Sequence, residues 1–107
     1  MTTETQHEDL LDVFKALANP TRLAIMGWLR DPTTHFEPQT NVPIEEAGVC
    51  VKQIQVKAGV SQSTASQFMA VLQRAGLVES TRIGHWTYYR RNDALAARLP
   101  ELVGTSI

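Results

Sequence analysis

The chain has 107 residues, a formal net charge of -1 and 43% hydrophobic residues, which fits one domain and excludes a disordered chain. No apolar run approaches the roughly 20 residues that a bilayer requires, and the polar, acidic start Met1–Asp9 is not that of a secretory signal. Cys50 is the single cysteine, so no intrachain disulfide is expected and a reducing, cytoplasmic location is. The small net charge conceals an asymmetry. Residues 1–48 carry eight acids against three bases, whereas residues 49–107 carry seven bases against three acids. A basic second half points toward a polyanionic partner.

Residues 8–18 place Leu10, Val13, Phe14 and Leu17 at the spacing of an amphipathic helix; the residues before it, 1–7, are expected to be flexible. Asn19-Pro20 ends that helix and starts another, with Asn19 as N-cap and Pro20 at the first helical position. This second helix, Thr21 to Arg30, puts Leu23, Met26 and Leu29 on one side, widened by Ile25 and Trp28, before Asp31-Pro32 stops it. Residues 31–48 hold three prolines and no clear period, which reads as a long loop: mobile and acidic, or in contact with an inducer. Val49-Cys50-Val51 is a short β-prone run. Lys52 to Ala58 reads as a short helix with Ile54 inward and Gly59 at its C-terminus. Ser61 then caps a helix from Gln62 to Ala75, whose buried stripe is Ala65, Phe68, Met69, Leu72 and Ala75. Leu77–Arg82 and Trp86–Arg91 form a hairpin about Ile83-Gly84-His85. A last helix starts near Asp93 and shows Leu95, Leu99, Leu102 and Val103, with Pro100 expected to end or kink it. The fold is therefore mostly α with a small β-hairpin, in the order α-α-loop-(β)-α-α-β-β-α.

Two helices joined by Ala58-Gly59-Val60-Ser61 make a helix-turn-helix over residues 52–75, and the hairpin over 77–91 is its wing. In such modules the second helix enters the major groove of double-stranded DNA and offers its N-terminal side chains to base edges. Those side chains are Gln62, Ser63, Thr64, Ser66 and Gln67, which hydrogen-bond without a bulky charge to desolvate. Ser61 is read as a cap and not as a DNA contact. Arg82, His85 and Lys57 are the candidate phosphate contacts, Arg82 first. Arg90 and Arg91 point to opposite faces of one strand, so at most one meets DNA. Trp86, Tyr88 and Tyr89 are expected to pack on the core.

With these blocks in place the sequence resembles the ArsR/SmtB family of bacterial winged-helix repressors. The likeness rests on Phe14–Leu23, Ala58–Gln67, Val71–Val78 and Gly84–Tyr89, which together span about residues 10–99. Many members carry histidine where this chain has Gln67 and Phe68. The resemblance implies a homodimer joined through the first helix and the last, 93–103, here by Leu10, Phe14, Leu17, Leu95, Leu99 and Leu102. It also implies an imperfect inverted repeat in a promoter as the target, and repression relieved by an inducer, which the sequence does not identify.

The family's two metal sites are broken in this chain. Where one site has a Cys-Val-Cys pattern, the sequence reads Val49-Cys50-Val51-Lys52, and one thiolate is a poor soft-metal site. Asp93 matches the first ligand of the other, but no histidine follows His85. His7, His35, Glu37, Glu45, Glu46 and Cys50 remain as scattered loop residues, so neither a metal nor a cofactor is expected. Cys50 reads as a small buried hydrophobe, the alternative being a metal- or redox-responsive repressor that uses it. Catalysis is not expected either, because no Ser/His/Asp order, phosphate-binding loop or paired apolar carboxylates occur. The alternative among binding proteins is a winged helix turned to protein interaction, without DNA affinity.

Overall fold

The computed structural model describes the backbone of residues 3–107 and the side chains from Leu10 onward. The helices are α1 (Thr3–Leu17), α2 (Pro20–Arg30), α3 (Pro32–His35), α4 (Ile44–Ala47), α5 (Val51–Ala58), α6 (Gln62–Arg74) and α7 (Asp93–Ser106). The strands are β1 (Val49–Cys50), β2 (Val78–Ile83) and β3 (Trp86–Arg91), forming one antiparallel sheet of order β1-β3-β2.

The core is where α2, α5, α6 and the sheet meet. Ile25, Ile54, Met69, Leu72 and Val49 are its largest fully buried side chains. Val13 and Ala16 bring in α1, and Leu77, Val78 and Tyr89 bring in the wing. Burial also pushes the Tyr89 hydroxyl above its ordinary pKa.

The α2 stripe differs from the sequence reading. Ile25 and Leu29 are buried, Met26 and Trp28 flank them half-buried, and Leu23 is 55% exposed. At about 100° per residue, Leu23 lies roughly 140° from the Ile25–Leu29 ridge. A helix with apolar residues nearly all round can settle on only one ridge, and the tighter i, i+4 pair won.

Helix α1 is longer than expected. Residues 3–7 continue it, contrary to a flexible 1–7 segment, and residues 1–2 lie outside the described ones. Residues 31–48 are likewise no free loop. They contain α3 and α4 and bury Phe36, Ile44 and Ala47. Gln39 fastens them: its Nε2 donates to the carbonyls of Val42 (2.9 Å) and Gly48 (3.1 Å), and its Oε1 accepts from the Cys50 amide at 2.7 Å. Gln53 Nε2 donates to the Glu37 carbonyl at 2.9 Å and its Oε1 accepts from the Glu37 amide at 3.1 Å. These amides replace the backbone ladder that the prolines deny the segment.

Val51 begins α5 and is not part of the β-prone run. The hairpin turn is Gly84-His85 alone, because Ile83 pairs with Trp86. Pro100 does not end α7, which runs on to Ser106 with Pro100 exposed. The missing amide removes one intrahelical bond, and the last turn is held by Ile107 N to Val103 O at 3.1 Å and Thr105 Oγ1 to Glu101 O at 3.0 Å. Cys50 is half-buried, so it is not the enclosed hydrophobe the sequence implied.

The sheet has two unlike faces. Tyr89 faces the core, whereas Trp86 and Tyr88, two residues apart, share the outer face with Cys50, the ladder partner of Tyr88. Tyr88 is buried there and Tyr89 in the core cluster, as expected, whereas Trp86 stays 44% exposed, so of the three aromatics only Trp86 departs from the expected packing.

Candidate nucleic-acid interface

The helix-turn-helix forms because each joint satisfies its own backbone. Helix α5 ends at Gly59, whose left-handed φ of 69° suits glycine, and the Gly59 amide donates to Gln55 O at 3.0 Å and Val56 O at 3.2 Å. Ser61 then caps α6: its Oγ accepts from the Thr64 amide at 3.1 Å. Below the turn, Ile54 joins Met69 and Leu72 in the core cluster, and Ala65 is buried on the same side of α6. The two helices are thereby locked at one angle, and the opposite side of α6 faces outward.

That outward side carries Gln62, Ser63, Ser66 and Gln67, all exposed. Positions 62 and 66, and 63 and 67, are one turn apart, so the four form a single strip. Gln62, Ser66 and Gln67 make no side-chain hydrogen bond among the described residues, which leaves their donors and acceptors free. Ser63 Oγ lies 3.3 Å from Ser61 Oγ. Thr64 differs: it is half-buried, and its hydroxyl accepts from Ser61 Oγ at 2.9 Å. It serves the cap first.

On the wing, Arg82 and His85 are exposed beside the Gly84-His85 turn, and Arg82 Nε donates to the Gly84 carbonyl at 3.2 Å. That bond uses one of five guanidinium N–H groups and leaves the rest available. Arg90 and Arg91 are committed elsewhere. Arg90 donates to the Glu46 carbonyl, and Arg91 pairs with Asp93 at 2.8 Å. Lys57 is engaged too: its ammonium sits 5.2 Å from the Trp28 ring centroid and 5.9 Å from that of Phe36. Its side chain stays exposed to solvent.

Three polar side chains fix the wing and the front helices relative to α6. Gln73 Nε2 donates to Ser80 Oγ at 3.0 Å, joining α6 to β2. Asn92 caps α7 through its Oδ1, which accepts from Leu95 N at 3.1 Å, while its Nδ2 donates to Gly76 O at 2.9 Å. Arg22 donates from Nε to Ala16 O at 2.7 Å and lies 5.6 Å from the Phe68 ring centroid. It closes the end of α1 and clamps it to α6. Sequence reasoning missed these roles; only that of Arg22 had a nearby signal, the block Asn19-Pro20-Thr21-Arg22.

The apolar surface of the outer helices also differs in detail. Leu10 is buried within its own chain and is not free to meet a partner, while Leu11 (51%) and Phe14 (43%) are exposed on α1. A helix buries one side, and α1 turned Leu10 and Val13 inward. Leu17, Leu95 and Leu99 are half-buried against the core, and Leu102 is half-buried further along α7.

Among the described residues no three His, Cys, Asp or Glu side chains are grouped closely enough to hold a metal ion, and His7 lies outside the described side chains. No helix of the described residues is long and apolar enough to cross a membrane.

Comparison with known proteins points the same way. No protein-family model matches the chain. The HTH-type transcriptional regulator YbzH of Bacillus subtilis, itself uncharacterized, is 44% identical over 91% of this chain and 97% of its own length. A Halobacterium salinarum protein provisionally named arsenical resistance operon repressor ArsR2 is 32% identical over 86% of this chain and 66% of its own. Among solved structures, the homodimeric winged helix-turn-helix DNA-binding domain Mb0332 of Mycobacterium bovis, described as a possible ArsR-family transcriptional regulator, is 31% identical. It superposes with a TM-score of 0.68 over 96% of this chain and 82% of its own.

Proposed function

Because the chain belongs to the ArsR family of winged helix-turn-helix transcriptional regulators, we propose that it is a homodimeric, sequence-specific repressor bound to an imperfect inverted repeat in a promoter. The family is non-enzymatic, and so is this chain. The observation that carries the reading is the exposed strip Gln62–Ser63–Ser66–Gln67 at the start of α6, in which only Ser63 has a side-chain contact within the chain. Each subunit places this strip in one half-site, with half-site centres about 34 Å, one helical turn, apart or slightly more. Arg82 and His85 reach the phosphate backbone beside it. The subunits join through Leu11 and Phe14 of α1, whose apolar surface is otherwise left in water, together with the half-buried leucines of α7. Bound there, the dimer excludes polymerase until an inducer lowers its affinity.

The test is a gel shift on the chain's own upstream region across a salt series. Specific retardation that weakens steeply with salt is expected. No retardation at low salt would mean a protein-interaction module instead. Arg82→Ala is expected to weaken binding to all sequences alike and to reduce the salt slope by about one. An unchanged slope would remove Arg82 from the interface.

The inducer is not a metal at the family's usual positions. Lys52 stands where a second thiolate would be, and Cys50 has no close set of other ligands among the described residues. Zinc or arsenite added at low micromolar concentration is therefore expected to leave the gel shift unchanged. Release by either ion would overturn this.

A further inference from the structure

An open concavity of about 310 Å³ lies on the outer face of the sheet. Its walls are Trp86 and Tyr88 from β3, Pro38 and Asn41 from the 31–48 segment, and Lys52 and Gln53 from the first turn of α5. Three elements that would otherwise be separate thus share one hollow, at the small end of the size range of small-molecule sites.

The hollow is built, not incidental. The hydrogen bonds of Gln39 and Gln53 are spent on neighbouring backbone, with one further contact of 3.3 Å between the two side chains, so the 31–48 segment and α5 are fastened together at the hollow. Its surface is mostly apolar, and Trp86 stays 44% exposed with its indole beside the opening. An indole in that setting is an available stacking surface. Lys52 is the one charged side chain of the lining; it is exposed, and no ion pair engages it among the described residues. No acid lines the hollow.

We propose that this hollow is the effector site of the regulator and takes a small aromatic carboxylate, its ring against the exposed Trp86 indole and its carboxylate on the Lys52 ammonium. The apolar walls exclude a highly charged ligand, and the single cation selects an acid over its neutral analogue. Because the walls belong at once to the wing and to the first helix of the helix-turn-helix, an occupant changes how Arg82 and α6 stand to each other. Binding at this site thus alters DNA affinity. This regulatory step rests on the DNA-binding reading above, whereas the site itself does not.

The test has two arms and uses the full chain. In the first, 1-naphthoate and its neutral analogue 1-naphthalenemethanol are titrated by calorimetry and by amide chemical shifts. Naphthoate is expected to bind once per chain, to shift amides near 38–41, 50–53 and 86–88, and to bind about tenfold more tightly than the alcohol. Lys52→Gln should erase that preference without affecting the alcohol, and Trp86→Ala should weaken both. Shifts elsewhere, no binding at millimolar concentration, or a preference that survives Lys52→Gln would overturn the site. In the second arm the gel shift is repeated with saturating naphthoate, on wild type and on Lys52→Gln. A change of DNA affinity in wild type alone is expected, and binding without any such change would overturn the effector role. If the chain binds no DNA at all, the DNA-binding reading fails, and the effector role with it, while the first arm still decides the site.

Discussion

Gly48→Ala is expected to lower the thermal midpoint by on the order of 15 °C. Gly48 lies between α4 and β1 with φ 96° and ψ -163°, a region that only glycine occupies without strain. A Cβ there would sit 2.4 Å from the Tyr89 carbonyl oxygen and 2.7 Å from its carbon. Both atoms are backbone in the central strand, so neither can swing aside. The backbone conformation alone costs about 1–3 kcal/mol, and parting β1 from β3 loses ladder bonds at about 1 kcal/mol each. Together these come to about 3 kcal/mol, and a domain of this size loses about 4–8 °C per kcal/mol. Gly104→Ala is the control. Gly104 lies inside α7 with open space around it, so alanine there should be neutral or stabilising by about 0.5–1 kcal/mol. Circular dichroism melts of the two variants decide the matter, and equal midpoints would show that the sheet gives way where the geometry says it cannot.

The triple variant Gln62→Ala, Ser63→Ala, Gln67→Ala is expected to fold normally and to lose sequence discrimination. All three side chains are exposed, and only Ser63 has an intramolecular contact, so removing them costs little stability. A good base contact contributes about 1–3 kcal/mol of discrimination, so losing three should reduce specific affinity by about 100-fold or more. Affinity for unrelated duplex should hold, because the proposed phosphate contacts, Arg82 and His85, are untouched. Competition between operator and non-specific DNA reads this directly. Loss of both affinities in parallel would mean misfolding or a backbone role for the strip, and an unchanged ratio would remove α6 from base readout. The contrast with Arg82→Ala, which acts on all sequences alike, separates reading from holding.

The candidate site was largely legible because its parts are local. Gly59, Ser61 and the stripe Ala65–Met69–Leu72 are close in sequence, and their periodicity states which side of α6 is buried and therefore which side is free. The glycine-centred turn likewise placed Arg82 and His85 at the tip of the wing. Lys57 was less legible. Nothing near it in sequence signals that Trp28 and Phe36 arrive beside it from α2 and the 31–48 segment.

Short-range pattern, then, set the order of elements, the turn and caps of the helix-turn-helix, and the polar strip, because each depends on bonds and side-chain repeats spanning a few residues. Packing decided what depends on partners far along the chain. It chose Ile25 and Leu29 over Leu23, and Leu10 over Leu11, since each helix offered two apolar ridges and only one could be buried. It ordered residues 31–48, which carry no period of their own, by giving Gln39, Gln53 and Arg90 partners up to 44 residues away. It let α7 pass Pro100, because one missing intrahelical bond on an exposed face is a small local loss. And it brought Trp86, Tyr88 and Lys52 around a single hollow, since only the register of β1 on β3 places the start of α5 beside the wing.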